Sequence, residues 1–139
     1  MLFFQGKIMK KLIIDLDGTL TIDDPNVDYI NKKPNLKLIS ILHNYKKMGF
    51  SISIFTSRNM RTYENDIQKI TAHTLPIITS WLDKHNVPYD EIVVGKVWCG
   101  FEGFYVDDKA IRPSEFTNLS FGEIKALLAK ENPYKNEKQ

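Results

Sequence analysis

The chain has 139 residues, 42% of them apolar and 26% charged, with a formal net charge of +2. That length supports one domain with a real core and is short for two. No apolar run approaches the roughly 18 residues of a membrane-spanning helix, and the scattered lysines and arginines form no dense stripe of the kind that grips nucleic acid. The composition therefore argues against membrane and nucleic-acid partners. A single cysteine, Cys99, leaves no internal disulfide and no cysteine-based zinc site, and with no signal-like start it points to a reducing cytoplasm.

Residues 1–8 read as a tag remnant or disordered leader, with Met9 the natural start; residues 9–132 read as a single domain and 133–139 as a flexible polar tail. Lys11-Leu12-Ile13-Ile14-Asp15 is a short apolar run ending in acid, the pattern of a buried parallel strand. Thr19 to Lys33 is polar and holds the turn signal Asp23-Asp24-Pro25-Asn26, so it forms a surface flap with room for a small hairpin. Leu38, Ile39, Leu42, Tyr45 and Met48 recur at helical spacing between Asn35 and Gly49, which supply the start and the stop.

A second strand, Phe50 to Phe55, runs into Thr56-Ser57-Arg58-Asn59. Arg61 to His85 is expected to be mostly helical, burying Ile67, Ile70, Ile77, Ile78, Trp81 and Leu82, with a kink or a fresh helix start around Leu75-Pro76. Glu91-Ile92-Val93-Val94 is a third strand ending at Gly95-Lys96, and Gly103-Phe104-Tyr105-Val106 is expected as a fourth, ending in Asp107-Asp108. Ser120 and Glu123 fit a capping box for the last helix. Strands alternating with helices in this way predict one mostly parallel, three-layer α/β domain.

In such sheets ligands sit beyond the carboxyl ends of the strands, and that is where Asp15, Asp17, Thr56, Lys96, Asp107 and Asp108 fall. Several carboxylates gathered together raise one another's pKa unless a cation relieves them. Mg2+ is suited to the task, since it takes oxygen ligands and needs only a few protein carboxylates. An aspartate beside it can attack phosphorus directly, a second carboxylate can move the proton, and a hydroxyl and a lysine can steady the phosphoryl oxygens. Ser57, Arg58, Asn59 and Arg112 are candidates for holding the rest of an anionic substrate; an arginine beside carboxylates can equally pair with them.

Asp15-Leu16-Asp17-Gly18-Thr19-Leu20 resembles the signature of the haloacid dehalogenase-like superfamily of phosphatases and phosphotransferases, and Thr56, Lys96 and Asp107-Asp108 follow in that family's order. The resemblance implies a Rossmann-like sheet with the first strand in the middle. It implies Asp15 as nucleophile and Mg2+ ligand, and Asp17 as general acid and base with its backbone carbonyl on the metal. Thr56 and Lys96 would steady the phosphoryl group, Asp107 would bind the metal, and Asp108 would support the metal shell. The intervals on either side of Thr56 hold no substantial cap domain, which implies an open site or one closed by a neighbouring subunit in a homo-oligomer. The short chain, His73-Thr74-Leu75-Pro76 and the run Tyr105 to Pro113 resemble small bacterial members linked to capsular and surface-polysaccharide biosynthesis. That narrower resemblance implies a sugar phosphate as substrate. The competing readings are a phosphatase of the same type acting on a phosphoprotein or a nucleic-acid end, and a regulatory protein that kept the fold without turnover.

Overall fold

The computed structural model describes residues 9–132, so the expected leader and tail lie outside the described residues. The chain divides into two units, one ending at Trp98 and the other beginning at Cys99.

The first unit is a small three-layer α/β fold on a parallel three-stranded sheet. Strand β1 (Lys11–Ile14) pairs with β2 (Ser51–Thr56), placing Ile14 opposite Ile54. Strand β2 pairs with β3 (Glu91–Val94), placing Thr56 opposite Val94. The order β1-β2-β3 puts β2 in the centre, whereas the resemblance implied a central first strand; β1 is an edge among the described residues, and its Ile13 is 64% exposed.

Helix α1 (Leu36–Lys47) begins where sequence places it: the Asn35 side chain accepts the Leu38 N–H, and Gly49 follows the helix at φ +97°. Its stripe buries Leu38, Ile39, Leu42 and Tyr45 and leaves Met48, beyond the last turn, partly exposed. The second crossover departs from expectation. Residues 58–65 form turns, with Asn59, Glu64 and Asn65 at positive φ, and the helix starts only at Ile67, capped by the Asp66 carboxylate. Three residues in the left-handed region cannot belong to a helix. The crossover then splits as Pro76 requires, into α2 (Ile67–His73) and α3 (Leu75–Lys84), with Pro76 in the first turn of α3.

Ile70, Ile78, Trp81 and Leu82 are buried as expected, but Ile67 and Ile77 are not. Ile77 and Ile78 are adjacent on α3 and point about 100° apart, so burying one turns the other outward. Ile67 instead lies against Gly95, where an added Cβ would come within 2.8 Å of its Cδ1.

Residues 19–34 form the expected flap. It is tied by an antiparallel bridge between Thr21 and Pro34 and by the Ile22 N–H donating to the Lys33 carbonyl at 2.8 Å, with a short 3-10 turn at Tyr29–Asn31. Trp81 on α3, only 1% exposed, donates its indole N–H to the Lys32 carbonyl at 2.8 Å and anchors this flap. At the opposite end of the sheet, the Asp90 carboxylate accepts the Ile52 N–H at 2.7 Å and two bonds from Lys46 Nζ. The Lys46 bonds, then the Ile52 N–H, hold the Asp90 carboxyl below its ordinary pKa.

In the second unit, α4 (Pro113–Asn118) and α5 (Phe121–Ala129) bury Phe116 and Ile124. The expected capping box is present: Ser120 Oγ accepts the Glu123 N–H at 3.1 Å and Glu123 accepts the Ser120 N–H at 2.8 Å. The fourth strand is not formed. Phe104 and Val106 are 79% and 88% exposed, and the chain before them folds back so tightly that a Cβ on Gly103 would lie 2.1 Å from the Cys99 carbonyl oxygen. A four-residue apolar run says nothing of its pairing partner. Among the described residues no helix is long and apolar enough to cross a membrane.

Candidate active site

Three positions far apart in sequence meet at the carboxyl ends of the three strands. Asp15 follows β1, Thr56 closes β2, and Lys96 stands two residues beyond β3, where its N–H donates to the Thr56 carbonyl at 3.1 Å. Lys96 Nζ lies 3.5 Å from Asp15 Oδ1, and the Thr19 hydroxyl donates to Asp15 Oδ2 at 3.3 Å. The Asp15 side chain remains 35% exposed, open to a substrate. Burial pushes the Asp15 carboxyl above its ordinary pKa; the Lys96 charge, the Leu16 N–H and the Thr19 hydroxyl pull against that rise, and the Asp17 charge adds to it.

The turn after β1 accounts for the spacing of the two aspartates. Leu16 is buried and its carbonyl accepts the N–H groups of Thr19, Leu20 and Thr21 at 3.2, 2.9 and 3.1 Å, so the chain curls around that one oxygen. Gly18 makes the curl feasible at φ +80°, a conformation costly for a side chain with a Cβ.

Asp17 is held by Arg58. Arg58 Nη2 donates to Oδ1 at 2.7 Å and Nε to Oδ2 at 3.0 Å, a two-pronged pair with the arginine side chain only 1% exposed. The guanidinium carbon lies 4.0 Å from the centre of the Tyr29 ring on the flap. The Arg58 backbone N–H donates to Thr56 Oγ1 at 3.0 Å, which leaves that buried hydroxyl its own hydrogen to donate. Of the candidates for the remainder of an anionic substrate, Arg58 therefore spends two donors on Asp17. The Asn59 amide is engaged with Thr62 and Thr74, at 3.2 and 2.7 Å, pinning the turn region to the end of α2. Ser57 is half-buried beside them.

Asp107, Asp108 and Arg112 lie in the second unit. Asp107 Oδ1 accepts the Lys109 N–H at 2.9 Å, Asp108 is exposed, and the Arg112 N–H donates to Glu115 at the start of α4. Among the described residues no three His, Cys, Asp or Glu side chains gather closely enough to hold a metal ion. The Asp15 carboxylate and the Asp17 backbone carbonyl are hard oxygens, the type Mg2+ takes while keeping several waters. By chemistry the pair fits such an ion.

Sequence reasoning missed Tyr29 and the anchoring of the flap by Lys32, whose ammonium pairs with Asp23 and lies 5.1 Å from the Tyr29 ring. Neither position carries a periodic signal, because the apolar residues of the flap, Leu20, Ile22, Val27, Tyr29 and Ile30, keep neither a helical nor an alternating spacing.

An α/β sheet with acidic and basic side chains converging at its carboxyl edge is an enzyme-like architecture. The chain is similar to a target protein from Vibrio cholerae of known crystal structure, with 60% identity and a TM-score of 0.87 over 89% of this chain and all of the other. It belongs to the same family as that protein. A chain in the structure of a Pnkp1/Rnl/Hen1 complex is also similar, at 19% identity and a TM-score of 0.46 over 81% of this chain and 35% of that one. No protein-family model and no curated protein matches the sequence.

Proposed function

We propose that the chain is a magnesium-dependent phosphomonoester hydrolase of the haloacid dehalogenase-like type, acting through an aspartyl phosphate. The observation that carries this reading is the convergence of Asp15, Lys96 and the buried Thr56 hydroxyl at the ends of three neighbouring parallel strands. Asp15 Oδ attacks phosphorus, and the bond to the leaving oxygen breaks as that oxygen takes a proton from Asp17. Asp17 then accepts a proton from water as the water oxygen attacks phosphorus, releasing phosphate and restoring the Asp15 carboxylate. Lys96 and Thr56 supply charge and a hydrogen bond to the equatorial oxygens, where negative charge is spread in the transition state. Asp15 and the Asp17 carbonyl would hold Mg2+, which supplies charge neutralisation for an incoming phosphate. Asp107 and Asp108 are proposed as further metal ligands on the strength of the sequence resemblance.

A sugar phosphate of surface-polysaccharide biosynthesis is the first substrate reading. A phosphoprotein or a phosphorylated nucleic-acid end is the second, supported by the 35% exposure of the Asp15 side chain. A phosphomonoester panel with Mg2+ present separates them. Phosphate release that vanishes with chelator and returns with Mg2+ is the expected result. Hydrolysis indifferent to chelator would remove the metal from the account, and faster release from 3′- or 5′-phosphorylated oligonucleotides than from sugar phosphates would select the second substrate.

A further inference from the structure

We infer that Arg58 is a positioning residue for Asp17, clamped in place by Tyr29 of the flap. The inference rests on the proposed acid-base role of Asp17 and goes beyond it by naming what fixes that carboxylate. Both Asp17 oxygens are bound by one guanidinium, at 2.7 and 3.0 Å, so the carboxylate has a single orientation rather than the several open to a half-exposed aspartate. The arrangement is not accounted for by stability. A buried ion pair recovers little net free energy once both groups are desolvated, and here Arg58 Nη1 is buried with no hydrogen-bond partner, an arrangement that costs rather than stabilises.

One further contact holds the guanidinium itself, and two others fix the residues around it. Tyr29 covers it at 4.0 Å from the ring centre, the Arg58 N–H is tied to Thr56 Oγ1, and Lys32, close to Tyr29, is itself pinned through its carbonyl by Trp81. The chain thus links the flap to the orientation of Asp17 through Tyr29 and Arg58. Arg58 is placed to aim a carboxylate, and its contacts go to the protein.

Steady-state kinetics of the full chain with an aryl phosphate and Mg2+ test this on Arg58→Gln, Arg58→Lys, Tyr29→Leu, Asp17→Asn and the Arg58→Gln/Asp17→Asn double variant. Loss of Asp17 orientation is expected to lower kcat of Arg58→Gln by about 30- to 100-fold, at or just below the lower end of what a positioned acid-base group contributes, with little change in KM. Arg58→Lys recovers part of the loss, Tyr29→Leu lowers kcat in the same sense by a smaller factor, and the double variant is no slower than Asp17→Asn alone. A rise in KM at unchanged kcat would make Arg58 a substrate contact and overturn the inference; so would additive losses in the double variant, or wild-type kinetics in Arg58→Gln. Should Arg58→Gln fail to fold, an unchanged kcat in Tyr29→Leu overturns it equally. A wild-type chain that hydrolyses no phosphomonoester removes the proposed function and this inference together, whereas an active wild type with indifferent variants removes only the inference.

Discussion

Replacing Asp15 with asparagine is expected to lower phosphate release by roughly four orders of magnitude or more, the scale on which removing a nucleophile acts in covalent catalysis. The same substitution should make the metal-free protein more stable near neutral pH. Burial raises the Asp15 carboxyl in the folded chain, and the Lys96 charge only partly offsets it. With a folded pKa above the unfolded value, the folded state binds more protons in the interval between the two. Stability therefore falls as pH rises through that window. Asparagine has the shape of the protonated acid and carries no charge to desolvate. In chelator, the thermal midpoint of Asp15→Asn should exceed that of the wild type above the window and converge with it at acid pH, as differential scanning fluorimetry across pH would record. A functional aspartate whose removal stabilises the fold separates a catalytic role from a structural one. A variant that is both less stable and inactive would leave Asp15 as a structural residue.

The second large effect lies on α3. Trp81→Ala removes a buried indole and leaves the Lys32 carbonyl without its 2.8 Å donor. The expected cost is about 3–5 kcal/mol, or a fall in midpoint on the order of 10–20 °C for a chain of this size. Trp81→Phe keeps a ring in the core and loses the donor, so about 1–2 kcal/mol is expected. Because Lys32 and Tyr29 belong to the same short stretch of flap, Trp81→Phe should also lower kcat modestly through Arg58. Chemical denaturation gives the first quantity and the phosphatase assay the second. A cost below about 1 kcal/mol for Trp81→Ala would mean that the flap is not anchored there.

Much of the first unit was legible because its signals are local. The stripe Leu38-Ile39-Leu42-Tyr45 with Asn35 and Gly49 at its ends, the break at Pro76, and the apolar runs ending in Asp15, Thr56 and Lys96 each declare their own structure. What was not legible depends on partners. In 58–65 the two asparagines, Asn59 and Asn65, tolerate the left-handed region that they adopt, but nothing local singles out Glu64, which adopts it too. Adjacent isoleucines at 77 and 78 could not both face inward. The run Gly103 to Val106 has strand chemistry, yet its position depends on how tightly the preceding Cys99–Gly103 turn folds. At the site, residue identity revealed Asp15 and Lys96, and the structure brings them to 3.5 Å. It also pairs Arg58 with Asp17 through two of its nitrogens, one of the two arrangements that sequence left open. Tyr29 could be found only in three dimensions.

The central claim is that Asp15 becomes covalently phosphorylated. An aryl phosphate has a leaving group that needs little protonation, so Asp17→Asn should still permit the first transfer while slowing the attack of water on the phosphoenzyme. Quenching that variant during turnover and reducing it with borohydride converts an acyl phosphate into an alcohol, and peptide mass spectrometry then reads the product. The account predicts homoserine at position 15, dependent on both substrate and Mg2+. Phosphate release by the wild type with unmodified Asp15 in the quenched variant, or homoserine at another aspartate, would contradict it.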